Sequence, residues 1–95
     1  MAEKLNEESI EGWLEGREGW SVEDGKVRKD FQFDHFRDSI VFVNRVATLA
    51  DSADHHPDID IRFDTVVIAL STHDAGGITE KDLKLAEQVD FATSR

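Results

Sequence analysis

Between Phe36 and Ala53 the chain carries apolar side chains in two neighbouring rows: Phe36, Ile40, Val43, Ala47 and Ala50 in one, Phe42, Val46, Leu49 and Ala53 in the other. At about 100° per residue, such rows lie side by side on a helix and cover roughly half its circumference. A helix resting on one sheet face needs a narrower stripe. The spacing therefore predicts a long helix, capped by Asp34 and running to about Asp51 or Ala53, with apolar surface left over for a partner helix.

The segments around this helix read as strands and two further helices. Pro57 stops the long helix. Beyond it, "IDIRFD" alternates Ile59, Ile61 and Phe63 with Asp60, Arg62 and Asp64, the pattern of a half-buried strand. "TVVIALST" is apolar on both parities and reads as a central strand. Upstream, "WSVEDGKVRKDFQF" reads as a hairpin, with Trp20 and Val22 before the Asp24-Gly25 turn and Val27, Phe31 and Phe33 after it. The first helix opens at Asn6, with Leu5 and Ile10 as a hydrophobic staple, and ends at Gly16 or Gly19. The last helix opens at Thr79, with Asp82 three residues on, and runs through about Phe91. The order is α-β-β-α-β-β-α. Hairpins imply antiparallel pairing, so the expected class is α+β, a four-stranded antiparallel sheet with three helices on one face.

Ninety-five residues suffice for a single domain, expected to span residues 1–95. The formal charge of −10 argues against a nucleic-acid partner, which calls for a basic face, and against an anionic membrane surface. No apolar run approaches the roughly 20 residues needed to cross a bilayer. "MAEKLNEESIEG" lacks the basic-then-apolar order of a secretory signal, so a cytoplasmic location is expected. There is no cysteine, hence no disulfide framework, no thiolate nucleophile and no sulfur-ligated zinc.

The unusual stretch is "ADHHPDID", in which His55 and His56 stand side by side before Pro57. Such a pair could bind a metal, exchange protons, or decorate a solvated loop. Adjacent side chains point in different directions, and the His-x₃-His spacing that aims two ligands together on a helix is absent, which argues against a metal site. A serine hydrolase elbow, G-x-S-x-G, is also absent. Histidine has the unperturbed pKa best suited to proton transfer near neutrality. Asp51 stands one helical turn before His55 and is placed to orient an imidazole. His73 lies at the end of the central strand, before a Gly-Gly loop and a helix start. His35 reads as surface decoration, and Asp82 first of all as part of a helix cap. What remains is acid–base chemistry without a metal or other cofactor.

These residues have a wider pattern. An acid, three residues, His-His-Pro, an aromatic six residues on, a histidine and a downstream aspartate appear here as Asp51, His55-His56-Pro57, Phe63, His73 and Asp82. "GW" at Gly19-Trp20, "RVA" at Arg45 to Ala47 and "LSTH" at Leu70 to His73 accompany them. In these features the whole chain resembles the pterin-4a-carbinolamine dehydratases. It departs at Ile59, where many members of that family carry an aromatic.

The resemblance implies the α+β fold given above and a reaction that removes water from 4a-hydroxytetrahydrobiopterin, giving quinonoid dihydropterin in tetrahydrobiopterin recycling. It implies His55 and His73 as general acids and His56 chiefly as a pterin holder. Pro57, Thr72, Asp74 and Ala75 would contact the pterin, and Asp51 and Asp82 would orient the histidines. Independently of the resemblance, the surplus apolar arc predicts a homodimer or homotetramer built through the helix at 34–53, with an open sheet edge as a second route. Some members of that family act instead as binding proteins that stabilise dimers of a homeodomain transcription factor in animals, so a non-catalytic module is the competing expectation.

Overall fold

The computed structural model describes residues 3–93. Helix α1 (Glu7–Leu14) is followed by strands β1 (Ser21–Glu23) and β2 (Lys26–Gln32), then by helix α2 (Phe36–Ala53). Strands β3 (Asp58–Arg62) and β4 (Thr65–Leu70) come next, then a 3-10 turn at His73–Ala75 and helix α3 (Glu80–Phe91). The four strands pair antiparallel in the order β1-β2-β4-β3. This is the α+β arrangement expected from the alternation of hairpins and helices.

The local signals act as their chemistry dictates. Asn6 caps α1, its side chain accepting from Ser9 N–H at 2.8 Å. Asp24 and Gly25 both take positive φ, 53° and 74°, as a type I′ hairpin turn requires. Gly19, at φ 89°, has a second constraint: a Cβ there would stand 2.8 Å from the Lys29 side chain. Lys29 needs that space because its ammonium reaches Asp90 at 2.8 Å while lying over Phe31, 5.0 Å from the ring centre. Trp20 donates its ring N–H to the same Asp90 carboxylate at 2.9 Å. One turn earlier on α3, Glu87 accepts from Trp13 and Arg17, each at 2.9 Å. Thus α3 clamps α1 and the first hairpin with two acids on one face.

The core lies between the sheet and the helices. Val27 and Phe31 of β2 and Val66, Ile68 and Leu70 of β4 meet Phe42 and Val46 of α2 and Leu85, Ala86 and Val89 of α3. Two expectations need correction. First, α2 is not capped by Asp34. Its N-cap is His35, with no side-chain capping bond. Phe33 is still tied to the sheet, its N–H donating to Asp64 O at 2.8 Å, so the chain spends Asp34 and His35 in leaving it. Second, β3 is not half-buried. Ile59 and Ile61 pair with Ile68 and Val66, on the core face, yet are 36% and 40% exposed. The helices lie over β2 and β4, and the outer strand projects past them. The apolar arc of α2 does leave surface over, as its width predicts. Ser39, Phe42, Val46 and Ala50 are buried, whereas Phe36 is half exposed and Ala47 lies open, with Ile40 and Val43 intermediate.

Candidate active site

The end of α2 decides where the two adjacent histidines go. Asp54 takes the left-handed conformation at φ 50°, and its N–H donates to Asp51 O at 3.2 Å. His55 N–H then reaches back to Ala50 O at 3.1 Å. These two bonds are the Schellman closure of a helix C-terminus. The helix therefore ends at Ala53, four residues before Pro57, and the reversal sends the two rings apart. The His55 side chain is only 12% exposed, whereas that of His56 is 63% exposed.

Each ring finds a different carboxylate. His55 Nε2 lies 2.5 Å from Asp82 Oδ1, and His56 Nε2 lies 3.1 Å from Asp51 Oδ1. The acid one turn before the pair thus serves His56, not His55. Asp82 is wholly buried at the start of α3. Its other oxygen, Oδ2, accepts from Thr79 N–H at 2.8 Å and from the Thr72 hydroxyl at 2.9 Å. The Thr72 proton being used there, the Thr79 hydroxyl donates to Thr72 Oγ1 at 2.7 Å and accepts from Lys81 N–H at 3.2 Å. Asp82 closes the capping box of α3 and also holds His55. A buried carboxylate is tolerable only when its oxygens find hydrogen-bond partners, and here both do.

This arrangement has a chemical consequence. A carboxylate offers only acceptors, so the contact at Oδ1 assigns the His55 Nε2 position its proton. Nδ1 is the His55 nitrogen left to exchange a proton with a ligand. Thr72 meanwhile brings in the end of β4. Its N–H donates to Gly77 O at 2.8 Å, pinching off the loop that carries His73, Asp74 and Ala75. His73 opens the 3-10 turn of that loop and is exposed, as is Asp74, while Ala75 and Pro57 are half-buried. The structure thus joins His55, Asp82 and Thr72 directly and sets His73 next along the chain from Thr72. His56 and Asp51 form a separate pair on the rim.

A cavity of about 330 Å³ opens against His55 in the groove between α2 and α3, lined also by Leu49, Ser52, Lys81, Lys84 and Gln88. Neither lysine stood out in the sequence, because nothing in a helix-forming stretch such as "EKDLKLAEQ" shows which side faces a groove. Among the described residues, no group of three or more His, Asp or Glu side chains could hold a metal ion, and no helix is long and apolar enough to cross a membrane.

Fold and residues together define an α+β domain with a histidine–carboxylate cluster at the seam between a helix end and a strand end. Residues 3–92 match the family model described as "Pterin 4 alpha carbinolamine dehydratase". The chain is 51% identical over 90 residues to a protein of Roseiflexus castenholzii, covering 95% of this chain and 97% of that one. It is 50% identical over 91 residues to one from Mycobacteroides abscessus, covering 96% and 97% of the two chains. Both carry the name "Putative pterin-4-alpha-carbinolamine dehydratase". Among solved structures, a transcriptional coactivator/pterin dehydratase from Brucella melitensis superposes with a TM-score of 0.90 at 29% identity, over 96% of this chain and 99% of that one. A pterin dehydratase-like RuBisCO assembly factor of the alpha-carboxysome shares the fold, with a TM-score of 0.65 at 22% identity over 79% of this chain and 87% of its own. The chain belongs to the pterin-4-alpha-carbinolamine dehydratase family.

Proposed function

We propose that this protein dehydrates 4a-hydroxytetrahydropterin to quinonoid dihydropterin, with histidines moving the protons. The observation that carries this reading is the Asp82-centred network, which holds His55 beside the strand end that presents His73. In the reaction the N5 lone pair forms a C4a=N5 double bond as the C4a–O bond breaks. The departing hydroxyl takes a proton and leaves as water, and N5 gives up its own proton to a base. Hydroxide is a poor leaving group, so positioning the donor is the main task, worth roughly 10²–10⁴-fold in rate.

His55 supplies its proton from Nδ1, since Nε2 is committed to Asp82. His73 serves the hydroxyl on the opposite ring face. His56, on the exposed rim, holds the pterin together with Pro57, Thr72, Asp74 and Ala75. Elimination needs no metal or redox cofactor, and His55 and His56 are turned toward different carboxylates instead of one point. The physiological setting we assign is recycling of a tetrahydropterin in the cytoplasm. The test is turnover of chemically generated 4a-hydroxytetrahydropterin by the purified protein. Acceleration that survives exhaustive chelation is expected. No acceleration over spontaneous dehydration, or loss on chelation with recovery on zinc, overturns the reading.

A second reading rests on a different surface. Phe36, Ile40, Val43 and Ala47 line up on α2 and stay wholly or partly open, with Phe36 at 50% exposure. That stripe suits a homodimer or homotetramer, with the uncovered edge strand β3 as a further pairing site. It equally suits a binding module for a partner protein, and the Brucella melitensis relative is called a transcriptional coactivator as well as a dehydratase. The turnover assay separates the two, because a module needs no proton donor.

A further inference from the structure

We infer that the groove between α2 and α3 is a subsite for an anionic group on the pterin's C6 side chain, held by Lys81 and Lys84. This rests on the dehydratase reading and deepens it.

The groove and the reacting centre share one wall. His55 lines the cavity of about 330 Å³ and is also bound to Asp82. In the pterin ring, C6 is bonded to N5, and N5 to C4a, so a C6 substituent leaves the ring two bonds from the carbon that loses its hydroxyl. A ring placed with C4a at His55 can therefore direct its side chain into the groove that His55 also lines.

The charge of the groove is unlike that of the rest of the chain, which has 21 acidic residues against 11 basic ones. Arg17, Lys26, Arg28, Lys29 and Arg62 are each held by a carboxylate. Among the described residues Lys81 and Lys84, like Lys4 and Arg37, have no such partner, but these two line one groove. Glu80 stands one turn before Lys84, the favourable spacing for a helical ion pair, yet none forms. Two like charges three residues apart on a helix repel and weaken it slightly. No carboxylate lines the cavity, whose other polar groups are Ser52 and Gln88, both able to donate to an anion. Two unpaired ammonium groups over an apolar floor of Leu49 and Leu85 fit a short carbon chain ending in a carboxylate or phosphate.

The test is fluorescence titration of the full chain with three pterins: pterin-6-carboxylate, 6-hydroxymethylpterin phosphate and neutral 6-hydroxymethylpterin. At low ionic strength at least one anionic pterin should bind roughly tenfold more tightly than the neutral one, and added salt should shrink the difference. Which of the two binds better tells carboxylate from phosphate. The advantage should fall to near unity in Lys81→Gln/Lys84→Gln and invert in Lys84→Glu. Both lysines are exposed, and circular dichroism checks that the variants fold. Equal affinity for all three pterins, or an advantage that survives the double substitution, overturns the subsite while leaving the dehydratase reading in place. Failure of all three to bind, together with no turnover, overturns both.

Discussion

Asp82 Oδ1 and His55 Nε2 stand 2.5 Å apart, although 27 positions separate the two residues in the chain. The same carboxylate caps α3 through Thr79 N–H and receives the Thr72 hydroxyl. Asp82→Asn puts an amide where acceptors are required. It should lower unfolding free energy by about 2–3 kcal/mol and kcat by about 10²-fold. Thr72→Val leaves the capping box intact and should cost about 1 kcal/mol, with a smaller loss of kcat. Urea denaturation and steady-state kinetics on the two variants check this. Equal loss of kcat in both would deny Asp82 a role in placing His55.

His55 and His56 should separate kinetically. Under the proposed mechanism His55→Gln removes a proton donor and should lower kcat by about 10²-fold with little change in KM. His56→Gln removes binding common to ground and transition states and should mainly raise KM. His55→Gln/His73→Gln should abolish turnover of both C4a stereoisomers, while either single change partly spares one. Near-normal turnover in that double variant would refute the mechanism.

The open stripe of α2 should mark an interface between copies. Phe42 is unsuitable as a probe, because it is a core residue with only 2% exposure. Phe36→Glu combined with Ala47→Glu changes side chains that the core does not enclose. Light scattering should show a lower native mass for this variant with its circular dichroism retained. A wild-type protein that is monomeric at micromolar concentration contradicts the assignment.

Ser39 gives a stability prediction free of function. Its hydroxyl is fully buried in α2 and has no hydrogen-bond partner among the described residues. An unsatisfied buried hydroxyl destabilises, so Ser39→Ala should raise unfolding free energy by about 1 kcal/mol without altering the helix. Chemical denaturation measures it, and unchanged or reduced stability would mean that the hydroxyl is satisfied after all.

Local chemistry was legible in the sequence and distant pairing was not. Asp24-Gly25, Asn6 and Thr79 act through neighbours a few residues away, and each formed the turn or cap expected of it. The fate of β3 depended on how far the helical layer extends, which alternation cannot show, so Ile59 and Ile61 keep more than a third of their surface open. The histidines were legible as residues but not as pairs. Asp51 was the near acid and Asp82 the far one, and the left-handed turn at Asp54 exchanged their partners. A non-glycine residue in that conformation carries no local signature as strong as a glycine would.

The double duty of Asp82 also bears on how relatives of this fold can be told apart. An acid at the third position of α3 is needed to seal the helix start whether or not any pterin is turned over. A copy that abandoned the reaction would be free to lose His55 and His73 long before it could lose that aspartate. The aspartate is therefore a mark of the architecture, whereas under the proposed mechanism the histidines report on the chemistry.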